Sequence, residues 1–167
     1  MTSPLATSVG VRFAQSRLVR VLFLLLFITA TAPACQLLKK ILPAKTIDNP
    51  EPGTREWLVL KGLEAAKQPD TNEGWKMLRP LLHTQVVEMV SSESSFRNNN
   101  FEALHRKVRL FLPEDGTLSY KLERESEDQE DLEWRLFIVT RGSDMPSPFR
   151  IRRDAKFNNE WRIVNIP

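Results

Sequence analysis

The residues that could carry chemistry are few: one cysteine, Cys35, and two histidines, His83 and His105. The sequence has no Gly-x-Ser-x-Gly nucleophile elbow, no His-Glu-x-x-His zinc motif and no glycine-rich phosphate loop. The histidines are 22 positions apart, and helix capping or surface exposure explains each more simply than metal binding or catalysis. We therefore assign no catalytic residue, no metal site and no cofactor.

Two groups of charged residues could serve as binding sites. The acidic group could hold a divalent cation, but calcium loops need a glycine-directed turn and this stretch has none, so an exposed connection from Glu123 to Glu133 is predicted. Its members are Glu123, Glu125, Glu127, Asp128, Glu130 and Asp131. The basic group could meet lipid head groups or an acidic partner, or pair with the acidic connection. It is a predicted strip on the outer sheet face: Arg150, Arg152, Arg153 and Arg162.

The segment before Cys35 predicts export. It contains three arginines and no acidic residue, followed by an apolar core from Val21 to Ile28. This core is shorter than the roughly 20 residues that a membrane-spanning helix needs. With Ala32-Pro33-Ala34 as a small-residue cleavage site, residues 1–34 are predicted to be a signal peptide.

The position of Cys35 directly after Ala34 resembles the lipid-modified cysteine of bacterial lipoproteins. That family usually has Leu three residues before the cysteine, where this chain has Ala32. The resemblance implies a diacylglycerol on Cys35 and a membrane anchor in the cell envelope. Gln36, in place of the Asp that retains lipoproteins at the inner membrane, implies the outer membrane if the host is Gram-negative. Ordinary cleavage after Ala34, which gives a soluble secreted protein, and an uncleaved anchor stay open.

The charge balance argues against nucleic-acid binding. The net charge of +3 comes from the signal peptide, because three of the 24 basic residues and none of the 21 acidic residues precede Cys35. The remaining 133 residues are near neutral and suffice for one domain. Residues 35–53, rich in proline, are predicted to be a tether.

Residues 54–167 are predicted to be one α+β domain, with helices first and an antiparallel sheet afterwards. Thr54 and Asp70 or Thr71 are predicted helix caps, and a kink or a restart of the second helix is predicted at Pro80. Ser91 to Asn100 is predicted to be an exposed loop, and a third helix follows from Phe101 to about Phe111.

Four strands are predicted from alternating apolar residues after the turn at Pro113 to Gly116. The segment from about Glu133 to Thr140 is apolar on both faces and is predicted to be a central strand. The shared core of the third helix and the sheet is predicted from the apolar positions Phe101, Leu104, Val108, Phe111, Leu136, Ile138, Phe149, Ile151 and Trp161.

This order of elements, closed by the strand EWRIVNIP, resembles the NTF2-like (cystatin-like) α+β domains of many bacterial lipoproteins. The resemblance implies helices packed on a curved antiparallel sheet of about four strands, with a conical pocket between them. Tyr120 and Trp134 could line that pocket, because a curved sheet points alternate side chains inward.

The favoured hypothesis is a lipid-anchored, non-catalytic envelope protein. Its partners would be the membrane, through the lipid on Cys35, and an unknown protein or a small apolar ligand. The alternative is an NTF2-like pocket enzyme of the isomerase or dehydratase type, which needs an ionisable side chain with a perturbed pKa in the pocket.

Overall fold

Helix α1 (Arg55–Lys67) lies across the sheet and supplies much of the core. The computed structural model describes residues 43–129 and 132–167, and residues 44–167 form one unit. The Thr54 hydroxyl accepts the Trp57 amide at 3.2 Å, and the Asp70 carboxylate accepts the Asn72 amide at 2.7 Å to begin α2 (Thr71–Leu78). Both predicted caps are confirmed. Pro80 lies in a short 3-10 helix, Arg79–Leu81, and the chain begins a new helix at Thr84, which is the restart predicted as one of two outcomes.

The predicted loop from Ser91 to Asn100 is wrong, because this stretch is helical. After α3 (Thr84–Val87), helix α4 (Val90–Ser95) continues through a π-helical segment (Phe96–Phe101) into α5 (Glu102–Lys107) and a 3-10 turn, Val108–Leu110. Phe96 and Phe101 are buried against Trp75, with ring centroids 6.4 and 5.7 Å away. These aromatic contacts stabilise helix in a polar sequence.

The sheet has five antiparallel strands in chain order: β1 (Lys45–Ile47), β2 (Tyr120–Asp128), β3 (Glu133–Ile138), β4 (Ser147–Asp154) and β5 (Glu160–Asn165). The predicted number of about four is therefore corrected to five. The additional strand, β1, lies within the predicted tether and pairs with the start of β2. Burial of Ile47 opposite Tyr120 holds it there. The prediction that β3 is central is confirmed.

The acidic connection is also corrected, because β2 continues through Asp128 and pairs with β3 as far as Glu133. Two carboxylates of β2 form ion pairs: Glu125 lies 3.2 Å from Arg55, and Asp128 lies 2.5 Å from Arg135. Charged residues suit a strand whose one face is open to solvent. Glu130 and Asp131 lie outside the described residues.

The predicted core is confirmed at eight of its nine positions, and only Trp161 is half-buried. Register shifts between Leu122 and Arg124 and between Arg150 and Ile151 mark irregularities in the strand pairing. Such bulges increase the local twist of a sheet. Within the described part of the chain, no helix is long and apolar enough to cross a bilayer. The signal peptide, Ala34, Cys35 and residues 35–42 of the tether lie outside the described residues.

We predict that Gly74→Ala destabilises the domain by about 1–3 kcal/mol, the usual cost of overpacking. A Cβ at Gly74 would overlap the Ala65 carbonyl oxygen, which belongs to the backbone of α1, and would lie 3.0 Å from Phe101. Gly62→Ala is the comparison, because its nearest neighbour is a side-chain atom of Phe149, 2.9 Å away, and not backbone, so a smaller loss of stability is expected. Urea unfolding measures both. Equal effects of the two substitutions would contradict the rigid contact between α1 and α2.

Candidate functional site

The two residues predicted to line a pocket lie at opposite ends of the β2–β3 hairpin. Trp134 pairs with Glu127, seven positions along β2 from Tyr120. At about 3.3 Å per residue, the two backbones are roughly 23 Å apart. A single pocket between the helices and the sheet therefore cannot be lined by both residues, and the two have separate surroundings.

Tyr120 is 1% exposed and lies beside a cavity of about 370 Å³. Its hydroxyl donates to the Glu56 carbonyl oxygen of α1 at 3.2 Å. Burial raises the pKa of this phenol far above its usual value, and the charges of Glu56 and Glu125 add to the effect. The other lining residues include Phe111, Leu112, Ser119 and Arg141. Tyr120 is therefore held neutral and bonded to backbone.

Trp134 lies beneath the guanidinium of Arg55, whose carbon is 3.6 Å from the ring centroid. The same guanidinium lies 5.5 Å from the Trp161 ring, and its Nη2 is 3.2 Å from Glu125. Cation–π and ion-pair contacts thus fix the first residue of α1 over the end of the sheet. Trp134 is half-buried in this stack.

A groove of about 580 Å³ lies beside Trp161, between the start of α1 and the β4–β5 connection. Its apolar side chains are Trp57, Leu58, Leu81 and Trp161. Its polar lining consists of Arg153, Asn158, Asn159, Glu160 and Arg162. We name it the Trp161 groove. Its size is within the range of small-molecule sites.

Two arginines at the Trp161 groove are held against aromatic rings. The Arg153 guanidinium carbon is 4.3 Å from the Trp161 centroid, and Nη1 donates to the Asn159 carbonyl at 2.9 Å. The Arg162 guanidinium carbon is 4.0 Å from the Phe157 centroid, with Glu160 2.9 Å from its Nη2. Arg162 also donates to the Pro80 carbonyl. Among the described carboxylates, none lies within ion-pair distance of Arg153.

The β4–β5 connection is shaped by two left-handed residues, Asn158 (φ 51°) and Asn159 (φ 58°). Asparagine tolerates this conformation better than most residues. They follow a 3-10 turn, Ala155–Phe157, that Asp154 begins by accepting the Lys156 amide at 2.9 Å. This tight turn places Arg153 and Trp161 on paired positions of β4 and β5.

A buried carboxylate joins this turn to the helices. Asp154 is 2% exposed, and its Oδ2 accepts both the amide and the hydroxyl of Thr84 at 2.7 Å. Burial raises the pKa of Asp154, but the bonds from Thr84 and Lys156 outweigh it, so the pKa is lowered. We name the contacts of Asp154 with Thr84 and of His83 with Ile163 the Asp154 clasp.

Both histidines have structural bonds. The backbone amide of His83 donates to the Ile163 carbonyl at 2.8 Å, and its Nδ1 accepts the Gln85 amide at 3.1 Å at the start of α3. The Nδ1 of His105 lies 2.9 Å from the Ala66 carbonyl near the end of α1, so it must carry the proton. Helix capping, one of the two predicted roles, is confirmed for His83.

The four arginines of the predicted basic strip lie in two different surroundings. Arg150 donates to both carboxylate oxygens of Glu133 at 2.5 and 3.0 Å, and Arg152 lies 3.7 Å away. These arginines pair with the end of the predicted acidic connection and help bury Glu133. Arg153 and Arg162 line the Trp161 groove instead.

Sequence reasoning missed Arg55 and Asp154, although a signal for the first was present. Three triplets combine tryptophan with arginine and glutamate: Arg55-Glu56-Trp57, Glu133-Trp134-Arg135 and Glu160-Trp161-Arg162. The fold brings members of all three triplets to one end of the sheet. Asp154 had no comparable signal, because its partner Thr84 is 70 residues away.

No family model, curated protein or solved structure matches this chain. Within the residues that the structure describes, no three His, Cys, Asp or Glu side chains are grouped as metal ligands.

We predict that Asp154→Asn destabilises the domain by about 2 kcal/mol at neutral pH, because charge-assisted bonds to Thr84 are weakened. The folded pKa of Asp154 lies below its unfolded value of about 3.9. Its contribution is therefore complete above about pH 5 and is lost as the pH falls through the folded pKa.

Urea unfolding of both proteins between neutral and acid pH measures this difference. Asp115→Asn is the control, since Asp115 also accepts two bonds from Thr117 but is exposed in a turn. A difference for Asp154→Asn that stays constant with pH would show that the carboxylate charge does not stabilise the clasp.

Proposed function

We propose that this chain is an exported protein of the bacterial cell envelope, anchored by lipid on Cys35, with a non-catalytic binding domain. The observation that carries the binding role is the Trp161 groove, where two tryptophans and two leucines meet a ring-stacked arginine. Exposed aromatic and arginine side chains are the types most enriched at binding surfaces.

The bonding of the buried ionisable groups supports a binding role over catalysis. Tyr120 donates to a backbone carbonyl, Asp154 accepts from Thr84, and Glu133 is bound by arginines. A catalytic acid or base needs a pKa near the working pH and a path to substrate. These groups are instead used to join elements of the fold.

The order of helices followed by an antiparallel meander supports an NTF2-like architecture. The bound partner would be a protein or a small apolar ligand at the Trp161 groove. Lys45 in the first strand lies ten positions after Cys35, a distance that the chain can span over at most about 35 Å. A lipid on Cys35 would therefore hold the domain close to the membrane, at the outer membrane if the host is Gram-negative.

The second candidate is a pocket enzyme of the isomerase or dehydratase type. The observation that favours it is the cavity beside Tyr120, where Ser119 and Arg141 add polar groups. In this role Tyr120 would transfer a proton, which requires that solvent or substrate reach its hydroxyl.

We predict that Cys35→Ser releases the protein from membranes, because the thiol that carries the lipid is removed. Fractionation of cells expressing each form measures the release. The intact mass of the wild-type protein extracted from membranes should equal a chain that begins at Cys35 plus acyl groups. A wild-type chain that begins at Cys35 with no added mass would refute the anchor and favour a soluble secreted protein.

We predict that Tyr120 ionises only when the domain unfolds. It is the chain's one tyrosine, so phenolate absorbance during alkaline titration reports this residue alone. Burial raises the pKa of Tyr120, so the absorbance step should coincide with loss of helical circular dichroism. The same chain in urea is the control and should titrate near the usual value of about 10. A reversible step at or below that value in the folded protein would favour the enzyme.

A further inference from the structure

We propose that the Trp161 groove binds a single-chain fatty acid, with the carboxylate on Arg153 and the hydrocarbon chain along the tryptophan and leucine side chains. This proposal rests on the binding role proposed above and names the class of ligand. It concerns a different molecule from the lipid on Cys35, because it would be bound without a covalent bond.

The shape and lining of the groove suit a hydrocarbon chain. Trp57, Leu58 and Leu81 come from α1 and the 3-10 helix that follows α2, and Trp161 faces them from β5. The volume of about 580 Å³ leaves room for a chain of about twelve carbons. Each methylene removed from water contributes to binding, so an apolar tail adds affinity in proportion to its length.

The position of Arg153 suits one anion. Its guanidinium is held against the Trp161 ring at 4.3 Å, so only its edge is presented to a ligand. One of its five donors is used by the Asn159 carbonyl, and no described carboxylate pairs with it. The remaining donors form the planar fork that binds a carboxylate through two parallel hydrogen bonds.

The charge of the surroundings favours a monoanion. Arg162, the other guanidinium of the groove, is already 2.9 Å from Glu160. Arg162 and Glu160 cancel, so a ligand meets one net positive charge, on Arg153. A fatty-acid carboxylate matches it with one negative charge, whereas a phosphate monoester carries about 1.5 to 2 negative charges, more than one guanidinium neutralises.

The test is calorimetric titration of dodecanoate, below its critical micelle concentration, into the full chain carrying Cys35→Ser. That background removes the covalent lipid, which could otherwise occupy the groove. We expect binding of dodecanoate, and weaker binding of dodecanol, which has the same chain without the charge. Arg153→Gln should weaken dodecanoate binding about tenfold, the value of a charge-assisted hydrogen bond.

The matched control is Arg97→Gln. Arg97 is also stacked on a tryptophan, 5.8 Å from the Trp75 centroid, but it lies in the π-helical segment and does not line the groove. It should leave dodecanoate affinity unchanged. Arg153→Lys keeps the charge and should retain part of the affinity. Because Arg153 is exposed, its variants should fold and lose only the small stability of one cation–π contact, which thermal unfolding checks.

Three results would each overturn the proposal: no binding of dodecanoate, equal affinity for dodecanol, or equal affinity in the Arg153→Gln variant. Tighter binding of dodecyl phosphate than of dodecanoate would overturn the assignment to a carboxylate. None of these results bears on the lipid anchor, which the mass of the membrane-extracted protein decides separately. A soluble, unmodified wild-type chain that still bound dodecanoate would refute the anchor and leave the ligand assignment intact.

Discussion

One buried carboxylate connects the two layers of this domain. Asp154 ends β4, begins the turn to β5 and accepts two hydrogen bonds from Thr84 of α3. The neighbouring His83 amide donates to Ile163, and Leu82 forms a bridge with the same residue. Since Leu81 and the β4–β5 turn both line the Trp161 groove, and the clasp joins the residues next to them, the shape of the groove depends on this clasp. A charge that costs energy to bury is retained here because its bonds fix the relative position of helix and hairpin.

Arginines stacked on tryptophans serve a related purpose at the same end of the sheet. An arginine in water samples many rotamers, and ordering it on binding costs entropy. Arg55 and Arg153 are each held on a ring before any ligand arrives. Arg55 is additionally paired with Glu125, so its contribution is to position Trp134 and the start of α1. Arg153 has no such carboxylate among the described residues, which leaves its outer edge available. The stack of Arg55 on Trp134 therefore stabilises the fold, whereas the stack of Arg153 on Trp161 leaves a guanidinium available to a ligand.

The elements that depend on local rules could be predicted from the sequence. Caps at Thr54 and Asp70, the break near Pro80 and the alternation in β3, β4 and β5 follow from hydrogen bonding and periodicity over a few residues. Errors arose where distant contacts outweighed composition. Phe96 and Phe101 make a polar stretch helical by packing on Trp75, and β1 exists because β2 offers it a partner. The spacing of apolar residues could not predict that Arg153 lies opposite Trp161 in the sheet. Their strand register depends on the left-handed turn at Asn158 and Asn159.

The centre of the domain is too well filled to serve as a binding cone. Gly62 of α1 approaches the Phe149 ring so closely that a single added carbon would lie 2.9 Å from it, and Ile163 closes the same space. Leu63, Leu136 and Ile151 are fully buried around this contact. A ligand at the centre would have to displace close-packed side chains, at the cost of the packing that stabilises the fold. Recognition is therefore expected at the rim, where strand ends and helix starts leave aromatic and charged groups half-exposed. The Trp161 groove is such a rim site.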